Sequence, residues 1–238
     1  MVNNCVNCTC GEFGSPESLG TKKCFKDFWI FNEFDPDQRE IFRSIGVRKI
    51  IEKGQPVFRQ GDPVNDIFLI KSGRIKLNKI HEDGTEITLD FRKAGDMIGE
   101  DLFSGKRTYP LSAWAMEDTV TCGFELDAFN KLVMRYPEIG LTVIQSMGQR
   151  LSSMTDRLES MSENNLESRL HGVLAGIARE HGKTVPEGVE LNIPLTHEDL
   201  GFLVGAHRVS ITKAIKSLAD CGKIERNGKK ITMAASFL

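Results

Sequence analysis

The 238-residue sequence predicts an α+β protein, because three different patterns follow one another along the chain. Short apolar runs separated by glycine turns fill residues 49–125, which is typical of an antiparallel β domain. A narrow apolar stripe with helical spacing follows. Helices joined by a tight turn, and then a short hairpin, end the chain and predict a winged helix-turn-helix. The predicted domains are a cysteine-rich segment (1–24), the β domain (25–134), a long dimerisation helix (135–163) and the winged helix (164–238).

The composition is that of an ordinary globular protein, with 40% hydrophobic residues, 27% charged residues and a formal net charge of −2. No stretch approaches about 18 consecutive apolar residues, so we expect no membrane span and no membrane partner. Residues 1–5 lack the basic and then apolar order of a secretory signal. We therefore expect a cytoplasmic location.

The N-terminal segment is rich in glycine, serine, proline and cysteine and has no hydrophobic period, which predicts a loop that an external group must order. Four of the six cysteines lie within it, and clustered cysteines in a reducing cytosol bind metal or act as redox groups. These four are Cys5, Cys8, Cys10 and Cys24. Further along, Asp35 as N-cap and Pro36 in the first turn predict a short helix up to Ile45.

The β domain is predicted from turn signals that recur about every 8–12 residues. Each turn contains one glycine between runs of valine, isoleucine, phenylalanine and leucine, which favours an antiparallel sandwich or barrel. The turn glycines are Gly54, Gly61, Gly73, Gly84 and Gly95.

The long helix carries apolar residues at alternating steps of three and four, the a/d spacing of a paired helix. A two-position stripe suits one partner helix better than a broad core, so it predicts a homodimer seam. A helix packed on its own β domain is the alternative. The seam positions are Ile144, Met147, Leu151, Met154, Leu158 and Met161.

The helix-turn-helix is predicted between residues 195 and 215. Thr196 can cap the first helix with Asp199 three residues later, and Gly205 allows the tight turn. Leu200 and Leu203 of the first helix and Ile211, Ile215 and Leu218 of the second are expected to be buried.

The exposed side of the second helix and the following hairpin are basic and predict DNA as a partner. We expect Arg208 to bind guanine, and Ser210, Thr212 and Lys216 to hold phosphates. Asn227-Gly228 predicts the turn of a type I′ hairpin that serves as the wing. The candidate DNA-binding residues are His207, Arg208, Val209, Ser210, Thr212, Lys213, Lys216 and Lys229.

Several separated stretches resemble the CRP/FNR family, named after the cyclic-AMP receptor protein and the fumarate-nitrate regulator. Residues 53–62, 67–77 and 94–100 resemble its β-roll signatures, and the helix-turn-helix resembles its DNA-binding domain. The resemblance covers about residues 35–235. It implies a cupin-like β-roll sensor domain and a transcription regulator that binds pseudo-palindromic promoter DNA as a two-fold dimer and contacts RNA polymerase.

The sequence departs from the family pattern at three informative positions. Val209 stands where many members carry glutamate; it can touch a thymine methyl group but cannot accept from cytosine. Lys213 replaces the usual arginine and lacks its bidentate fork. Leu111 replaces the arginine that neutralises a cyclic phosphate, and Arg107 is displaced by four residues. We therefore expect no cyclic nucleotide as a cofactor.

The cysteines predict an iron–sulfur cluster that senses oxygen or redox state. Cys5 and Cys8 have chelate spacing, and iron–sulfur clusters usually take four thiolates. The FNR branch is similar in having N-terminal cysteines plus one in the β-roll, which implies Cys122 as a ligand of a [4Fe–4S] cluster. The distance from Cys10 to Cys24 is longer than in that branch, so it stays open which of the four N-terminal cysteines ligate.

Other readings of the same residues remain open. Cys122 can instead be a buried apolar cysteine, and the N-terminal cysteines can form a thiol switch or bind zinc. A haem or a small-molecule effector in the β-roll is a further alternative. No P-loop, nucleophile elbow or paired histidine metal motif occurs in the sequence, so we do not expect an enzyme.

Overall fold

The structure is a computed structural model that describes residues 36–191, 193–228 and 230–237. The four N-terminal cysteines and Lys229 lie outside the described residues. Helix α1 (Pro36–Ile45) begins the described chain and agrees with the predicted short helix. Within these ranges, no helix is both long and apolar enough to cross a membrane.

The β domain consists of two four-stranded antiparallel sheets, as the glycine turns predicted. One sheet has the order β1-β8-β3-β6 and the other β2-β7-β4-β5. The strands are β1 (Val47–Ile51), β2 (Pro56–Phe58), β3 (Asp66–Ser72), β4 (Arg74–Ile80), β5 (Glu86–Lys93), β6 (Met97–Ile98), β7 (Ser112–Ala115) and β8 (Thr119–Glu125).

The predicted turn glycines all have positive φ angles, between 80° and 99°. At Gly73 the reason is also steric, because a Cβ atom there would lie 2.3 Å from the hydroxyl of Thr119. Glycine thus permits both the left-handed backbone and the close approach of β8.

Two helices connect the β domain to the C-terminal domain. Helix α2 (Leu126–Arg135) ends where Tyr136 leaves the helical conformation, with φ −131° and ψ 80°, and α3 (Pro137–Ser162) begins directly afterwards. The residue before a proline avoids the α region, so the Tyr136-Pro137 pair separates the two helices.

The C-terminal domain contains one strand pair that the sequence analysis did not predict. It adds β9 and β10 to the wing hairpin, so that the sheet has the order β11-β12-β10-β9. Pro186-Glu187-Gly188, between alternating apolar residues, was the overlooked turn signal. The elements are α4 (Leu166–His181), β9 (Gly182–Val185), β10 (Gly188–Leu191), α5 (His197–Val204), α6 (Arg208–Asp220), β11 (Ile224–Asn227) and β12 (Lys230–Ala234).

Candidate DNA-binding surface and sensor site

Helices α5 and α6 are joined by the local geometry that the sequence predicted. The backbone N–H of Asp199 donates to the Thr196 hydroxyl at 3.0 Å, and the Asp199 carboxylate accepts from the Thr196 backbone N–H at 3.0 Å, which completes a capping box. Gly205 ends α5 in the left-handed conformation with φ 65°. The cap and the turn together fix the angle at which α6 leaves α5.

The buried side of the two helices is apolar. The predicted core positions of both helices are at most 3% exposed, and they pack with α4 and the wing strands. They are Leu200, Leu203, Ile211, Ile215 and Leu218. Because this side is fully used by the core, the opposite side of α6 is left for a partner.

That opposite side carries the candidate DNA-binding residues. Helix α6 begins at Arg208, and His207 is its N-cap. Val209 is 57% exposed, an unusual position for an apolar side chain that has no partner in the core. Ser210 is half-buried, and the exposed members are His207, Arg208, Val209, Thr212, Lys213 and Lys216.

The hydroxyl of Thr212, a predicted phosphate-binding group, is engaged by two protein groups. The hydroxyl donates to the Arg208 carbonyl at 3.1 Å and lies 2.8 Å from Nδ1 of His197. Burial and the charges of Arg226 and Arg208 lower the pKa of His197. His197, which the sequence analysis missed, therefore belongs to this surface as a neutral group between α6 and the wing.

The wing differs from the predicted hairpin by one residue. Asn227 pairs with Lys230, so Asn227 belongs to β11 and Gly228, with φ 62°, occupies the first turn position. Lys230 forms an ion pair with Glu190 of β10 at 3.1 Å, because β10 lies beside β12. The additional strand pair thus neutralises one lysine of the wing.

A cavity of about 370 Å³ lies between the β domain and α3. Arg92 lines it and is 2% exposed, with Asp90 at 2.5 Å and Glu100 at 2.6 Å. Burial lowers the pKa of Arg92, but the two carboxylates outweigh this and raise the pKa. Leu111, which stands where the family has a phosphate-binding arginine, also lines the cavity. Arg92 is therefore already paired with carboxylates of the chain, and Arg150, which also lines the cavity, pairs with Asp90 and Asp96.

Cys122 lies in β8 with 4% of its surface exposed, in a cluster with Phe42 of α1 and Phe124. A Cβ atom at Gly46 would lie 2.8 Å from the Cys122 sulfur, so the connection between α1 and β1 passes directly over the thiol. Among the described residues, no group of three or more histidine, cysteine or acidic side chains is arranged to hold a metal ion.

Comparison with known proteins decides the family. Residues 48–136 match the family model of the cyclic nucleotide-binding domain, and residues 168–234 match that of the Crp-like helix-turn-helix domain. The chain belongs to the CRP/FNR family. This CRP/FNR protein is accordingly a transcription regulator of the β-roll and winged-helix type, and not an enzyme.

The relatives of this CRP/FNR protein are distant in sequence. The fumarate and nitrate reduction regulatory protein of Salmonella typhimurium is 26% identical over 98% of this chain and 87% of that regulator. The global nitrogen regulator of Synechococcus elongatus is 25% identical over 81% of this chain and 90% of that protein.

Solved structures agree with the fold. The c-di-GMP-responsive regulator CLP of Xanthomonas campestris matches with a TM-score of 0.71 at 20% identity, over 84% of this chain and 99% of that one. FixK2 of Bradyrhizobium japonicum matches with a TM-score of 0.68 at 16% identity, over 79% of this chain and 92% of that one. At these identities the likeness concerns the fold alone.

Proposed function

We propose that this protein is a cytoplasmic, homodimeric regulator that senses oxygen or redox state through an iron–sulfur cluster. The cluster would be held by Cys122 and by three of Cys5, Cys8, Cys10 and Cys24. The observation that carries the proposal is the position of Cys122 in β8. Its sulfur lies directly beneath Gly46, which follows α1, and α1 precedes the β domain on the side of the cysteine-rich segment.

The chain length is compatible with this ligand set. Eleven residues lie between Cys24 and Pro36, and an extended chain over the resulting twelve Cα–Cα steps reaches about 40 Å. The ten-residue helix α1 is only about 15 Å long. Thiolates are the donors that iron–sulfur clusters require, and they would hold a group able to change its redox state with the signal. Because Gly46 covers the sulfur, binding requires the connection between α1 and β1 to move aside.

The test is the iron and sulfide content of anaerobically purified protein. Cys122→Ser should lose iron and sulfide, whereas the matched change Cys221→Ser should keep them, because Cys221 is exposed at the end of α6. Full iron in the Cys122 variant would contradict its role as a ligand. Zinc in place of iron would favour the zinc alternative, and a metal-free, air-sensitive protein would favour a thiol switch.

The dimer part of the proposal is supported by α3. Five of the six seam positions are between 41% and 67% exposed in the single chain, and Met147 packs against the β-roll core instead. An exposed apolar stripe of this kind, interrupted only at Met147 among the six seam positions, marks an interaction site. A second copy of α3 offers the same stripe, so a two-fold pair covers both.

We further propose that the dimer presents its two α6 helices to successive major grooves of a pseudo-palindromic promoter. Arg208 would read guanine and Val209 a thymine methyl group, while Lys213, Lys216 and the wing, with Lys229, would hold phosphates. RNA polymerase is the partner that the family resemblance implies. We expect no cyclic nucleotide, since Leu111 supplies no charge and the two cavity arginines, Arg92 and Arg150, are already paired with Asp90, Asp96 and Glu100.

A further inference from the structure

Strand β5 contains a β-bulge at Leu89. The pairing with β4 runs from Arg74 opposite Lys93 to Leu77 opposite Asp90, and it resumes with Asn78 opposite Thr88. Leu89 therefore has no partner on β4. An extra residue of this kind reverses the alternation of side chains along the strand and bends it.

The bulge places two residues of β5 on the same face, towards the winged helix. Thr88 donates its hydroxyl hydrogen to the Asp199 carboxylate of α5 at 2.8 Å. Phe91 is 1% exposed and belongs to the hydrophobic cluster of the C-terminal domain, with Val173 of α4. In a regular strand, residues three apart point to opposite faces, so the bulge alone allows both contacts.

The other face of β5 is held by the long helix. Asp90, next to the bulge, is in ion pairs with Arg150 at 3.0 Å and Arg157 at 3.2 Å, both from α3. The carbonyl oxygen of Leu89 also accepts a hydrogen bond from Arg157. Helix α3 thus binds the bulge on one face while the winged helix packs on the other.

We propose that the Leu89 bulge sets the orientation of the winged helix relative to α3, with Phe91 as the positioning residue. The proposal rests on the proposed function in one respect, because orientation matters only if two winged helices must reach two half-sites together. Without the Phe91 contact, the winged helix loses its apolar anchor on the β-roll and is held there by polar contacts such as those of Thr88 and Lys76 with Asp199, so its orientation about residues 163–165 is less fixed. The loss of preorganisation then weakens binding to paired half-sites but leaves each single half-site interaction intact.

The experiment uses the full-length protein and a duplex that the wild-type protein selects from a random pool. Fluorescence anisotropy measures binding to this duplex and to a copy in which one half-site is scrambled. Phe91→Ala should lower the affinity for the paired sites about tenfold while changing the single-site affinity by less than about twofold. Phe91→Leu should restore most of the loss. Phe58→Ala is the control, because Phe58 is also buried but lies in a separate β-roll cluster. It should leave the ratio of paired-site to single-site affinity unchanged.

If Phe91→Ala leaves the ratio of paired-site to single-site affinity unchanged, either because both affinities fall equally or because neither changes, the proposal is overturned. If Phe91→Ala does not fold, Thr88→Val is tested in its place, because it removes only the hydroxyl that binds Asp199. It should lower the ratio of paired-site to single-site affinity about threefold, and an unchanged ratio would overturn the proposal. If the wild-type protein itself does not prefer paired half-sites, the proposed dimeric function is overturned as well. This outcome differs from a failure of the bulge proposal alone, in which the wild-type protein keeps its preference.

Discussion

Leu158→Ala on α3 is the change that tests the dimer seam most directly. Leu158 is 67% exposed in the single chain, so it contributes little to the folding of one subunit. In a two-fold dimer the same side chain would be covered by the partner helix. The variant should therefore weaken the dimer and leave the subunit fold intact.

The size of the effect follows from the exposed fraction. Complete burial of a leucine side chain is worth about 1.5–3 kcal/mol. With two-thirds of Leu158 still to be buried, each copy contributes about 1–2 kcal/mol to association. Because the dimer contains the residue twice, Leu158→Ala should cost about 2–4 kcal/mol, which raises the dimer dissociation constant about 30- to 700-fold.

Sedimentation equilibrium over a range of protein concentrations measures this constant. Ile80→Ala is the control, since Ile80 is 42% exposed on β4 and lies outside α3. An unchanged dissociation constant for Leu158→Ala would refute the seam. We also expect the wild-type protein to stay dimeric before and after exposure to air, because no seam position is charged and methionines adapt to more than one register.

Three further outcomes are expected. Arg208→Ala should weaken binding to the preferred duplex by about 1–3 kcal/mol and relax the choice of one base, whereas Lys229→Ala should weaken all duplexes alike; identical competition profiles would contradict this division. Gly205→Ala should lower the free energy of unfolding by about 1 kcal/mol because of its left-handed backbone, while Gly176→Ala in α4 should raise it, and thermal unfolding that shows the reverse order would disprove the assignment. Burial lowers the pKa of His181 to about 4. The unfolded chain then binds a proton that the folded chain refuses, and stability falls as the pH decreases from 6.5 towards 4. Urea unfolding should show that His181→Asn removes about 2 kcal/mol of the difference in stability between about pH 7 and pH 5. If the variant keeps the pH dependence of the wild-type protein, His181 is not its cause.

Features that depend on neighbouring residues could be predicted from the sequence. The capping box at Thr196 and the left-handed turn at Gly205 each need only a few adjacent side chains, so their residue types identify them. The antiparallel β domain followed from glycine spacing for the same reason, whereas its β-roll form was implied by the family resemblance. The wing hairpin was found but shifted by one residue, because Asn227 continues the pairing of β11 and only the register with β12 reveals this.

Features that depend on distant residues could not be predicted in this way. The bulge at Leu89 exists only relative to β4, and nothing in the local sequence marks an unpaired residue. The contact between Thr88 and Asp199 joins residues 111 positions apart. His197 was overlooked because its role comes from Thr212 and Arg226, which the fold brings beside it.

The carboxylate of Asp199 serves both the N-terminal cap of α5 and the contact between the winged helix and the β-roll. It caps α5 through Thr196 and also accepts from Thr88, while Lys76 lies 3.3 Å away on the β-roll. Burial raises its pKa, but the Thr196 hydrogen bond and Lys76 outweigh this and keep the carboxylate charged. The first turn of α5 is consequently firmer when the domains touch than when they separate. The amide proton of Asp199, which donates to Thr196, should therefore exchange with solvent more slowly while the two domains are in contact, so that its protection reports how firmly they are held together.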